Sequence, residues 1–497
     1  MRAAILLATT VTPTLGAKLI WQQSETTAIY TSASISRHAG KAPTFATATD
    51  LNQPLFVEVY NVSDSGENVW SFADERQGAS FSVTMARHTE PSPAGAGGAV
   101  DTLTIDTPPP GVDGCAIRAF DSLGKGTPAW SLILANCSAY SASISDDGLF
   151  VAVSAGLQVG QPKLAPVVWG LSGQTGKVLW TQGGVDSSQY GGTVKVSARG
   201  NYIAYSRADD TVEVLDARTG VSRGIAISEG WNTPAELSDD GSLLAFSGQD
   251  RAAIYAYDAA TAGYKLKYDL TPSGGSSAWY SVSTSVSSDG SGAEDKELAC
   301  FGFIGAGALT ARVLVVSMVS GAVLSDYTSA TNDQLQTNPT VRMDGKYCGV
   351  SLWGDRDDVP TAVLLAANSS KPAFTYVTPG SMFGVDVVVD GTAVYFSVAG
   401  KHVPANTMGN GGDAYVRRAL ARAGGGSRSC GAPAPATHPF APPPHPHPHS
   451  CRRGCCRCCG SGSGPGGVSV ATFPSAHLTV NERAHSNRIP GAGLGFR

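Results

Sequence analysis

The sequence is short of charge. Of its 497 residues only 15% are Asp, Glu, Lys or Arg, against about 25% in an average soluble domain. A formal charge of -5 over this length leaves no basic stripe for nucleic acid and no polybasic patch for a membrane surface. No apolar run reaches the roughly 18 residues of a membrane span. Residues 18–417 hold only three histidines, His38, His88 and His402, with no G-x-S-x-G elbow beside them. A turn position for His38 reads as a solvent-facing side chain. The acidic stretch Asp355, Asp357 and Asp358 carries Arg356 in its middle and reads as a solvated turn, not a cation loop.

What is abundant is the vocabulary of strands and turns. There are 59 Gly and 29 Pro, with much Ser, Thr, Ala and Val. One unit recurs along the chain: an alternating strand, a turn ending in Gly, then an apolar strand. It reads YTSASISRHAG at Tyr30–Gly40, YSASISDDG at Tyr140–Gly148, VKVSARGNYIAYS at Val194–Ser206 and AELSDDGSLLAFS at Ala235–Ser247. TVRMDGKYCGVS at Thr340–Ser351 and VDVVVDGTAVYFS at Val385–Ser397 continue it. Asp-Gly before a second strand is a strong hairpin signal, because Gly accepts the positive φ of a tight turn. Each unit has a second half, clearest in VVWGLSGQTGKVLWTQ at Val167–Gln182. Four strands in about 50 residues is the size of a propeller blade. The fold class is therefore all-β, an eight-bladed β-propeller, with seven blades as the alternative because the second unit is poorly defined.

The count leaves the last blade without a fourth strand and the first residues without a blade. AKLIWQQ at Ala17–Gln23 supplies the missing strand. Its pairing beside DAYVR at Asp413–Arg417 would close the ring and remove open sheet edges.

The stretch GLSGQTGKVLW at Gly170–Trp180 resembles the repeat of the PQQ-like, or quinoprotein-type, propellers. Thr175, Gly176, Lys177 and Trp180 match that repeat, Ser172 stands in place of its Asp, and LDARTG at Leu215–Gly220 keeps Asp216, Thr219 and Gly220. The resemblance implies that the Trp packs between blades against the Thr-Gly turn, and Trp21, Trp70 and Trp130 occupy equivalent places. WD-repeat propellers are the rival family, though no Gly-His…Trp-Asp signature occurs. Quinoprotein dehydrogenases hold PQQ and calcium above the ring, and many place adjacent cysteines under the cofactor. The body of this chain has no such Cys pair and no long inserted loops, so the reading names no catalytic, cofactor-binding or metal-ligating residue and no cofactor.

The first 17 residues read as a signal peptide: Arg2, an apolar run from Ala3 to Val11, and small residues at Thr14 and Gly16. Export would make the sequons at Asn61, Asn136 and Asn368 glycosylation acceptors. It would also favour a disulfide between Cys115 and Cys137, whose spacing about Gly126 suits a hairpin. Two small buried hydrophobes are the alternative. Cys300 and Cys348 sit at equivalent inner positions of second strands and read as core packing. Residues 421–497, with APPPHPHPHS and CRRGCCRCCG, read as a low-complexity, largely disordered tail. Its cysteines come in adjacent pairs within a low-complexity run, and no zinc site is read there.

The domain reading is thus residues 1–17 signal peptide, 18–420 propeller and 421–497 tail. The function expected is that of a secreted, non-enzymatic, monomeric binding or scaffold module. Its ligand would be a protein, glycan or small molecule held on one propeller face, and its loops without charge clusters favour a neutral or weakly polar partner. A PQQ-dependent oxidoreductase is the alternative.

Overall fold

The structure is a computed structural model. It describes residues 17–420 apart from 26–28, 51–54, 63–65, 75–79, 90–99, 107–114, 135–136, 158–165, 184–192, 208–210, 228–234, 249–250, 274–278, 306–309, 331–338, 355–357, 370 and 403–411. All of these lie in one compact unit, Met1–Gly426. The expectations at 1–16, Asn136, Asp355, Asp357 and 421–497 fall outside the described residues.

The chain forms eight sheets, one per blade, antiparallel except where the short β7 adds to the sheet of blade 1. Strand β1 (Lys18–Glu25) stands alone at the start. Blade 1 is β2 (Ile29–His38), β3 (Thr44–Asp50), β4 (Leu55–Asn61) and β5 (Asn68–Asp74). Blade 2 is β6 (Ser80–Met85), β8 (Thr102–Asp106), β9 (Cys115–Phe120) and β10 (Trp130–Leu134), with the two-residue β7 (His88–Thr89) running parallel to β2. The next three blades start with β11 (Cys137–Ile144), β15 (Val194–Val196) and β19 (Ala235–Leu237). Blades 6, 7 and 8 start with β23 (Trp279–Ser287), β27 (Pro339–Asp344) and β31 (Met382–Asp390).

Blade 8 continues through β32 (Ala393–Lys401) and β33 (Gly412–Leu420), and β1 is its fourth strand. Trp21 pairs with Val416 and Gln22 with Tyr415. The first strand of the chain thus completes the last sheet, and the ring has eight blades, not seven.

Packing follows the period of two. Eight buried apolar clusters fill the structure, one at each junction between neighbouring blades. Cysteine joins one of them covalently. Cys300 on β24 (Leu298–Gly305) of blade 6 and Cys348 on β28 (Tyr347–Leu352) of blade 7 form a disulfide. This corrects the reading of the pair as simple core residues. They are fully buried as expected, but the ring sets the second strands of adjacent blades side by side, so two equivalent cysteines meet. Cys115 is buried, disulfide-bonded and opposite Leu134 in the hairpin register. Cys137 opens β11 of the next blade, and its side chain lies outside the described residues.

The outer turns carry the second regularity. In seven blades the turn between third and fourth strands has one residue at positive φ: Gly66, Gly126, Gly176, Gly220, Ala262, Gly321 and Asn368. A Cβ on Gly176 would lie 2.6 Å from the Trp130 ring, and one on Gly220 the same distance from Trp180. Trp130 Nε1 donates to Gly173 O at 2.6 Å and Trp180 Nε1 to Ala217 O at 2.7 Å. Each indole therefore lies on the next blade's turn. Thr175 Oγ1 accepts from Lys177 N within the turn that Trp130 covers. Ala262, with φ at 47°, stands where the other blades have Gly or Asn. Left-handed backbone costs an Ala about 1–2 kcal/mol, part of which Gly gives back as unfolded-state entropy. Ala262→Gly should therefore raise stability by about 0.5 kcal/mol, read from the midpoint of urea unfolding.

Candidate functional site: the central channel

The first strand of every blade lines the channel. Its edge N–H groups have no further strand to bond, and burying them bare would be costly. Side chains from the preceding blade satisfy many of them. Ser32 Oγ accepts from Val83 N, Ser34 Oγ from Met85 N, Ser143 Oγ from Val196 N and Ser285 Oγ from Met343 N, at 3.0 to 3.2 Å. Where a larger side chain stands, a carboxylate does this work. Glu236 accepts from Val286 N at 2.7 Å, Asp344 from Val389 N at 2.6 Å, and Asp386 from Ile35 N at 2.9 Å. The alternating serines of SASIS and SVSTSVS are this stitching.

A chamber of about 320 Å³ occupies the channel. Seven first strands present a polar residue to it: Ser34, Thr84, Ser143, Lys195, Glu236, Arg342 and Asp386; blade 6 presents Val286. Arg87, two residues beyond β6, reaches across to blade 7 and donates to Met343 O at 2.7 Å. Arg342 donates to Glu236 at 3.0 Å, and Lys195 Nζ lies 3.5 Å from the same carboxylate. Burial favours an uncharged Glu236, but Lys195, Arg342 and Arg87 outweigh it and hold the carboxyl below its usual range. Burial works against the Arg87 charge too, yet Asp386, Asp146, Asp344 and Glu236 keep its proton bound more tightly than usual. Lys195 goes the other way. Burial, then repulsion from Arg342, pulls its ammonium down to about 8 despite Glu236.

These charges are missed by a reading that counts histidines and motifs. The signal is a lone charge inside an apolar triplet, in VKV, AEL, VRM and VDV. In a strand buried on one face, that residue must face the opposite side.

Above the chamber lies a funnel of about 600 Å³, shared by the turns of six blades. Six aspartates face four basic groups there. This differs from the expected loops without charge clusters, because the Asp-Gly and Asp-Asp-Gly turns of separate blades all come to one end of the ring. Many of these aspartates also shape their own turns. Asp147 accepts from Leu149 N at 3.0 Å and Asp289 from Ser291 N at 3.0 Å. Among the described residues no group of three or more His, Cys, Asp or Glu is placed to hold a metal ion.

His38 is not solvent-facing. It is 6% exposed at the end of β2, where the turn folds inward against blade 2. Its Nε2 lies 2.8 Å from Thr44 Oγ1 and 3.1 Å from Ser122 Oγ. Ser122 Oγ donates to Asp101 at 2.5 Å, and its N–H bonds the same carboxylate. Ser, His and Asp thus meet, but in the wrong order for a nucleophile, whose proton should pass to imidazole. All three are buried. The cluster rivets blade 1 to blade 2.

Burial, with a smaller push from Lys41, lowers the His38 imidazole to about 4. Burial raises Asp101 to about 7 against its hydrogen bonds from Ser122 and Thr102. An unfolded imidazole binds its proton near 6.5, so His38 gives up stability as pH falls from about 6.5 to about 4. Asp101 binds its proton more tightly folded than unfolded, so it gains stability as pH falls from about 7 through the same range. His38→Gln should therefore lose less stability than wild type between pH 7 and pH 5. In the wild type the His38 ring nitrogens should keep the 15N shifts of a neutral imidazole over that interval, even as Asp101 takes up its proton nearby. Shifts that pass to those of an imidazolium with a midpoint near 6.5 would contradict the buried cluster.

His402 is exposed and contacts Asp413 through Nδ1 at 2.9 Å; the His88 side chain lies outside the described residues. Asn368 is exposed in a turn at φ 64°, whereas Asn61 is half-buried in β4. Asp358 is exposed. No helix among the described residues is long and apolar enough to cross a membrane.

Eight blades, a closing N-terminal strand and a stitched channel define an eight-bladed β-propeller. The chain matches no family profile and no curated protein. Among solved structures it is similar to Sqt1 from Saccharomyces cerevisiae, with a TM-score of 0.53 at 11% identity over 80% of this chain and 97% of that one. It also aligns with BamB from Moraxella catarrhalis, with a TM-score of 0.45 at 14% identity over 80% of this chain and 97% of that one. At 11% identity the likeness to Sqt1 is one of fold.

Proposed function

We propose that the protein is a secreted, non-enzymatic scaffold that binds a protein, glycan or small ligand at the funnel end of its channel. The observation that carries this reading is the funnel of about 600 Å³ built from the turns of six blades. It sits on a closed ring whose floor Arg87 spans. Fixed charges on a rigid frame suit recognition, because little order has to be gained on binding. The mixed signs favour a polar partner. Reversing Asp289 and Lys296 together should abolish binding of a partner selected from protein and glycan arrays. Unchanged binding would place recognition elsewhere.

Secretion is supported by the amino-terminal pattern and by the Cys300–Cys348 bond, which belongs in an oxidising compartment. Expressed with its own start in a secreting eukaryotic cell, the mature chain should begin near Ala17 and carry a glycan on Asn368. The half-buried Asn61 should be modified less. Asn368→Gln should remove the corresponding mass, and a chain retaining Met1 with Asn368 bare would contradict export. Dye reduction with added PQQ and calcium should stay at background; a calcium-dependent rate would favour the oxidoreductase alternative.

A further inference from the structure

The chamber below the funnel has an imbalance between donors and acceptors. Two of its three carboxylates are already used, and the third, Asp146, acts on Arg87. Glu236 takes the Val286 N–H on one oxygen and Arg342 on the other. Asp386 takes the Ile35 N–H and the Ser34 hydroxyl on Oδ2, and the Val387 N–H on Oδ1. The donors are not used up. A guanidinium has five N–H groups and an ammonium three. Among the described residues Arg342 bonds Glu236 alone, and Lys195 has the same carboxylate at 3.5 Å. Arg87 donates to Met343 O, and its nearest carboxylate, Asp386, is 3.9 Å away. Ser143 Oγ accepts a backbone N–H, which leaves its proton to give. All three basic side chains are half-buried, Arg342 the most open at 30%.

We infer that this chamber is a binding site for a small oxyanion, a phosphate or carboxylate group held by Arg87, Lys195 and Arg342. The space of about 320 Å³ admits such a group with some water. Guanidinium and ammonium donors converging on one volume match oxyanion geometry. The lowered proton affinity of Lys195, set partly by its two basic neighbours, is what an added anion would relieve. This site lies beneath the recognition face and does not depend on the scaffold reading: loss of one leaves the other standing.

Equilibrium dialysis of the intact protein with labelled inorganic phosphate tests it, at low millimolar phosphate and constant ionic strength. One phosphate per chain is expected, with affinity at least tenfold weaker in Lys195→Met and in Arg342→Gln. Lys371→Ala, on an exposed turn, should leave it unchanged. Sulfate should displace phosphate if the site prefers a tetrahedral anion, and succinate if it prefers a carboxylate. Displacement by either keeps the assignment; displacement by neither overturns it. Phosphate that does not bind, or binds equally to both variants, also overturns it. Should the variants fail to fold, crystals of the wild type grown in selenate decide. Selenium anomalous density beside Lys195 and Arg342 supports the site, and its absence from the chamber contradicts it.

Discussion

Trp21→Ala is expected to destabilise the protein by about 3–5 kcal/mol, the cost of emptying a buried aromatic site. Trp21 is 7% exposed and belongs to the last blade although it lies near the start of the chain. Its ring sits 4.3 Å from Tyr60 and 5.0 Å from Phe45, both on blade 1. Truncation therefore loosens the packing of β1 on blade 1, and β1 is the strand whose pairing with β33 closes the ring. Trp180→Ala should cost less, because Trp180 is only half-buried. Urea unfolding of both variants gives the comparison. Equal costs would mean that the closing junction is no more sensitive than any other.

Breaking the second cross-link should cost nearly as much. Replacing Cys300 and Cys348 together by Ala removes a bond spanning 48 residues of sequence. Loop-closure entropy for that length gives about 4 kcal/mol, with about 2–4 typical of measured cases. Both sulfurs lie in a buried apolar cluster, so alanine leaves no unpaired polar group and the loss reports the cross-link with a small cavity. Under strong reductant, which also opens the Cys115 bond in both proteins, the wild type and the double variant should match once unfolded and refolded. If reduction leaves the unfolding midpoint unchanged, the bond contributes nothing to the ring.

Much of this architecture was legible beforehand. The Gly-ended hairpins marked the blades because a turn chemistry repeated at regular spacing. The closing strand was legible from arithmetic, since AKLIWQQ had no blade and the last blade had no edge. The row of indoles from Trp21 to Trp180 was also visible, because a large ring recurring one blade apart needs a recurring partner. The partner is the flat turn around Gly176 and its equivalents.

The chamber was not legible in the same way. Arg87, Lys195, Glu236, Arg342 and Asp386 are spread over about 300 residues, and none belongs to a motif. Only the closed ring brings them together. His38 misled because a residue two before a turn glycine is commonly exposed, and nothing local signals that Thr44 and Ser122 will cover it. The Cys300–Cys348 bond was hidden for a similar reason. Each cysteine alone looks like a small apolar residue on an inner strand, and their pairing depends on adjacency between blades.

The most direct test of the closed ring is a cross-link between its two ends. Lys18 and Arg418 are register partners on β1 and β33, and both are exposed. In the background lacking Cys300 and Cys348, Lys18→Cys with Arg418→Cys should oxidise to an intramolecular disulfide and restore stability lost with the native bond. A pair that stays reduced, or links only between molecules, would mean that the first strand does not complete the last blade.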